Sequence, residues 1–123
     1  MSNQAQIKNV AKPKYDLEER TAKFGEDIID FVRILPRTDT SIILIRQLVR
    51  SATSIGANYV EADAAESKKD FRHKIAICKK ESKESRHWLR MIAKANPDKR
   101  ENCVKLWCEA KELVMIFSSI LKK

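Results

Sequence analysis

The sequence predicts an all-α fold, an antiparallel up-down four-helix bundle with short connections. Three observations predict it. Glycine (2) and proline (3) are scarce in 123 residues, which argues against a turn-rich sheet protein. Apolar residues recur at alternating steps of four and three, the period that lines one face of an α-helix. The period breaks only briefly, and short links between long helices make antiparallel neighbours.

Residues 1–14 are polar, end in Lys12-Pro13-Lys14 and read as a flexible N-terminal arm. The bundle occupies 15–123. Helix one is expected over about 16–34, where Leu17, Thr21, Phe24, Ile28, Phe31 and Leu35 share a stripe. Asp16, Glu18 and Glu19 suit its first turn, because free N–H groups and the helix dipole favour anions there. Pro36 ends it. Gly25 inside this helix costs about 1 kcal/mol against Ala, unless another backbone packs closely there.

Helix two is expected over 39–65, with Asp39 or Thr40 as its cap. Ile42, Ile45, Val49, Ala52, Gly56 and Tyr59 form one stripe, and Leu44, Leu48, Ser51, Ile55 and Ala62 a neighbouring one. So wide an apolar surface fits either a helix central to the bundle or a subunit contact. Helix three is expected over 67–95. Ser67 with Asp70 resembles a capping box, and Phe71, Ile75, Cys78, Ser82, Ser85, Leu89 and Ile92 form the core stripe. Helix four is expected over 97–121, with Asn96 as cap and Pro97 in the first helical position. Cys103, Trp107, Ala110, Val114, Phe117 and Leu121 carry its inner face. Trp88 and Trp107 sit at stripe edges, so packing or an interface suits them better than base stacking, and their indole N–H groups need partners.

The formal net charge is +8, and it is unevenly spread. Residues 68–105 carry 13 Lys or Arg against 5 Asp or Glu, whereas residues 15–35 carry 3 against 6. Lys68, Arg72, Lys79, Lys83, Arg86, Arg90 and Lys94 form a basic stripe beside the core stripe of helix three. Such a stripe can follow a phosphate backbone of RNA or DNA, or it can be an ordinary solvated face. No zinc finger, RNA-recognition sheet motif or helix-turn-helix spacing accompanies it, so any binding is expected to be electrostatic and weakly sequence-specific.

Enzyme chemistry finds little footing. There is no Gly-rich phosphate loop and no H-E-x-x-H. One E-x-x-H occurs, Glu84-Ser85-Arg86-His87, where a di-iron bundle needs one such motif on each of two helices. Ser82 and Ser85 near His87 lie on the core stripe with no matching acid. Cys78, Cys103 and Cys108 form no C-x-x-C pair, and their odd number speaks against a disulfide framework. No apolar run reaches the length of a membrane span, and the N-terminus lacks a secretory signal's apolar centre. The expectation is a cytoplasmic protein that is not an enzyme and uses no metal or cofactor. Its expected partners are nucleic acid, another protein or further copies of itself.

Polar residues within the apolar framework suggest a network that fixes register: Arg50 and Asn58 on helix two, Glu61 one turn on, and Glu81 and Glu84 on helix three. The same residues carry a resemblance. Arg50, Ser54, Ile55, Asn58 and Glu61 fit the pattern R-x-x-x-S-I-x-x-N-x-x-E-G, with Ala62 where Gly is usual. Phe71, Ile75, Ala76, Lys80, Glu81, Glu84 and Trp88-Leu89 fit a third-helix signature. On these motifs the chain, from about Tyr15 to Leu121, resembles the 23S ribosomal RNA intervening-sequence (S23) family of bacterial four-helix-bundle proteins. It is distantly similar to the accessory protein of diversity-generating retroelements, a basic barrel that works with a reverse transcriptase and nucleic acid. The resemblance implies a homo-oligomeric ring, a pentamer by preference. It also implies that helix two forms a subunit seam, with Ile45 and Leu48 in it and Arg50, Asn58, Glu81 and Glu84 in a polar network beside it.

Overall fold

The computed structural model describes residues 16–123, so the expected N-terminal arm lies outside the described residues. Among the described residues are four α-helices and no strand: α1 (Leu17–Val32), α2 (Asp39–Asp63), α3 (Lys68–Ala95) and α4 (Arg100–Lys122).

Helix ends follow local hydrogen bonding. Asp16 Oδ1 accepts from the Glu19 N–H at 3.3 Å and opens α1. The far end of α1 tightens: Ile34 and Leu35 N–H donate to the Phe31 and Val32 carbonyls, and Arg37 Nη1 also donates to Val32 O at 3.1 Å. Thr38, not Asp39 or Thr40, caps α2 by accepting from Ser41 N–H at 3.1 Å. Thr38 is the last extended residue, and Asp39 already lies in the first turn, where its charge meets the helix dipole. Ser67 Oγ caps α3 as expected, accepting from Asp70 N–H at 3.0 Å. The start of α4 differs from expectation. Asn96 makes no cap there; its side chain turns back and donates to Ile92 O at 3.2 Å, closing α3 instead. Pro97–Lys99 then form one 3-10 turn before α4 begins.

The helices run antiparallel, as cross-contacts show. Gly25 faces Thr53 while Thr21 faces Gly56 across α1 and α2. Ser51 meets Ser85 and Glu61 meets Lys74 across α2 and α3. Arg72 reaches Leu121 and Arg86 reaches Trp107 across α3 and α4. Packing is most extensive between α2 and α3, then α3 and α4, then α1 and α2; the α1–α4 seam is thin.

The core forms where the four stripes meet, around Phe24, Ile28, Leu48, Ile55, Leu89 and Phe117. Each such side chain contributes about 1.5–3 kcal/mol by leaving water. Between α1 and α3, the α2 residues Leu48, Ala52 and Ile55 are fully buried, whereas Ile42, Leu44, Ile45 and Val49 stay half-buried and Ile43 and Val60 exposed. At Gly25 the packing is close but not exclusive, since an added Cβ would stand 3.7 Å from Thr53 Cα, an ordinary contact.

Candidate nucleic-acid interface

Burial of Ile75, Cys78, Ser82, Ser85, Leu89 and Ile92 fixes the rotation of α3. That rotation sets the basic stripe along the outer edge of the α3–α4 pair. Lys68, Lys83, Arg90 and Lys94 are exposed; Arg72, Lys79 and Arg86 are half-buried. Arg72 Nη2 donates to Leu121 O at 2.7 Å, which satisfies a free carbonyl and places a cation at the negative end of α4. Arg72 is thereby tied into the fold. The Arg86 guanidinium lies 4.7 Å from the Trp107 ring centroid, and Lys111 Nζ lies 5.7 Å from it.

Ion pairs among the described residues lie off this ridge. Arg20 binds Glu109 and Glu112; Lys23 binds Asp27; Arg50 binds Glu81 and Glu84; Lys74 binds Glu61. Among the described residues, none of the seven stripe cations has a carboxylate within ion-pair distance. Lys83, Arg86, His87, Arg90 and Trp107 line an open cleft of about 330 Å³ that contains no acidic side chain. The thin α1–α4 seam holds a larger cleft of about 730 Å³, but its charges are mixed, with Asp27, Asp30 and Glu109 beside Lys23 and Lys105.

The expected polar network is present in part. Arg50 Nη1 donates to Glu81 Oε1 at 3.3 Å, and its Nη2 pairs with Glu84. Glu84 also accepts from the Trp88 indole at 3.2 Å, so that indole has its partner. Glu81 is only 8% exposed, and Arg50 is its ionic partner. Asn58 stands apart: its Nδ2 donates to Ser54 O at 2.8 Å on its own helix. Glu61 pairs with Lys74 at 2.6 Å rather than with Arg50, and its hydrogen bond is the chief cause holding the Lys74 ammonium above its usual pKa. Ile45 is half-buried against the core. Leu48 is 0% exposed inside the single chain, so it has no surface to offer a subunit seam.

Two features escaped the sequence reading. Lys111, one turn beyond Trp107 on α4, joins the basic cluster; the four-residue spacing from Trp107 was the available signal. Arg20 forms a fork with Glu109, its Nε on Oε2 at 2.7 Å and its Nη2 on Oε1 at 2.9 Å, and that pairing spans 89 residues with no local signal. The Glu109 hydrogen bond, then Glu112, holds the Arg20 guanidinium above its usual pKa against the opposing effect of burial.

A family model described as 23S rRNA-intervening sequence protein matches residues 14–119. The chain belongs to this family. Its fold is shared by the crystal structure of a protein with unknown function from the S23 ribosomal protein family, from Bacteroides thetaiotaomicron VPI-5482. The two are 29% identical with a TM-score of 0.79, over 86% of this chain and 98% of that one. No curated protein matches the chain. Among the described residues of this intervening-sequence family member, no helix is long and apolar enough to cross a membrane, and no three His, Cys, Asp or Glu residues are grouped to hold a metal ion.

Proposed function

We propose that the protein is a non-enzymatic, homo-oligomeric bundle that holds RNA or DNA along the α3 ridge with little regard for sequence. One observation carries the reading: seven cations repeat along one edge of α3, and among the described residues none of them has a carboxylate within ion-pair distance. Unpaired cations on one helix edge bind successive phosphates and release counterions. No base-reading motif accompanies them, so affinity comes from charge. Self-association is supported by apolar side chains left in water on two helices, Ile43 and Val60 on α2 and Val104 and Met115 on α4. The pentameric preference and the distant likeness to the retroelement accessory protein rest on the sequence resemblance alone. The reading is of a cytoplasmic protein, whose three free thiols suit a reducing compartment.

The test is light-scattering mass with and without a mixed RNA and DNA pool, across a salt series. Capture that weakens steadily with salt is expected. Reversing Lys79, Lys83, Arg86 and Arg90 to Glu should abolish it while leaving the helical content intact. Unchanged affinity and salt slope in that variant would remove the ridge from the reading. An assembly that ignores nucleic acid would favour the other course, a protein-interaction scaffold using the exposed apolar residues.

A further inference from the structure

The all-cation cleft has a neighbour. Beside it lies a second cleft of about 780 Å³, and Arg90 and Trp107 line both. The floor of the second is apolar, built from Leu89, Ala93, Pro97, Cys103 and Val104, and its rim carries Arg90, Lys94 and Arg100. Trp107 therefore stands between a compartment suited to phosphate and one suited to a flat apolar-faced ring.

We infer that this double cleft binds single-stranded nucleic acid, with a phosphate among Lys83, Arg86 and Arg90 and the adjoining unpaired base against Trp107. The inference rests on the ridge reading above and sharpens it. A paired base is already stacked between its neighbours and cannot reach an indole in a cleft, so a duplex meets only the cations. An unpaired base can enter, and every base has a face to stack. The two clefts contain no carboxylate, amide or hydroxyl side chain. The Asn, Gln, Asp and Glu side chains that read adenine and cytosine edges are thus absent, which leaves the Arg and Lys side chains as the only base-edge donors, suited to guanine, and no carboxylate, amide or hydroxyl side chain faces the sugar 2′-hydroxyl. The site accepts RNA and DNA strands alike, with guanine the one base its cations can favour.

The experiment uses the full chain with Trp88→Phe, so that Trp107 is the sole indole reporter. Short oligo(rU), oligo(dT) and a duplex of equal length are titrated at fixed salt. Both single strands are expected to quench Trp107 and to bind within a few-fold of each other. Trp107→Leu should weaken single strands by roughly tenfold and leave the duplex unchanged, while Trp107→Phe keeps most of the affinity. Val104→Glu, at a half-exposed position, sets a carboxylate in the floor without disturbing the core; it should weaken single strands selectively even if Trp107→Leu folds poorly. Equal losses for strand and duplex, or no loss for either, would overturn the inference while the ridge reading stands. Binding of none of the three probes would overturn both. If Val104→Glu breaks self-association and leaves strand affinity intact, the second cleft is a contact between copies and the inference is wrong.

Discussion

Ser51 and Ser85 join α2 to α3 through a hydroxyl–hydroxyl bond of 2.9 Å at the centre of the bundle, where neither side chain is reached by water. Each Oγ also lies within donating reach of a carbonyl of its own helix, Ser51 of Leu48 O at 3.2 Å and Ser85 of Glu81 O at 2.9 Å, so one hydroxyl donates across the pair while the other donates to its carbonyl. Each hydroxyl has one proton, so the pair shares its donors between the helices. Ser51→Ala or Ser85→Ala should cost about 1 kcal/mol. The double variant should cost less than the sum of the two, because the shared bond is lost only once. Urea unfolding of the four proteins gives the coupling directly; strict additivity would mean the bond carries no stability.

Gly25 offers a gain. Its Cβ position is in ordinary contact with Thr53 rather than in collision, and a helix-interior glycine is the less favourable choice by about 1 kcal/mol. Gly25→Ala should raise the midpoint of thermal unfolding by a few degrees. A lowered midpoint would show that α1 and α2 cannot yield the space.

The three thiols should separate by burial. Desolvation pushes Cys78 up to about 12 and Cys103 up to about 11, whereas Cys108 is exposed. A thiol reagent at mild pH should modify one cysteine rapidly and the other two only on unfolding. The same shifts fix a sign in stability. The folded chain holds these two protons more tightly than the unfolded chain, whose thiols titrate near 9.0. Their stabilising effect is therefore complete below about pH 9 and is lost as pH rises through 11 and 12. Replacing both by Ala should flatten the alkaline fall in unfolding free energy. Tyr59, which burial also raises, should leave part of the slope in place.

Arg20 is the chief polar tie across the thin α1–α4 seam. Arg20→Ala should cost about 1–3 kcal/mol, and Arg20→Lys should recover only part of that, because an ammonium cannot fork onto Glu109. Amide exchange should speed most in α1 in both variants. Uniform acceleration across all four helices would show that α1 has no separate stability.

What the sequence reveals depends on how local the cause is. The buried face of α3 from Ile75 to Ile92 is legible because a 3.6-residue period rotates every position predictably. The Arg50–Glu81–Glu84 cluster is legible because one hairpin aligns α2 with α3. Arg20 with Glu109 is not, since it needs the register between the first and last helices. Leu48 misleads for a related reason: an apolar stripe says that something covers it, not whether the cover is α3 or another subunit. Thr38 and Asn96 turn on a single residue of backbone geometry, below the resolution of pattern.

The order of the helices also bears on how the chain collapses. Every extensive interface joins helices that follow one another in sequence, so each hairpin closes only a short loop at small entropic cost. The α1–α4 seam alone draws together residues 89 positions apart. It gains little until α2 and α3 have brought its two halves within reach. Arg20→Ala is therefore expected to speed unfolding and leave the refolding rate nearly unchanged, as for a latch that closes after the nucleus has formed.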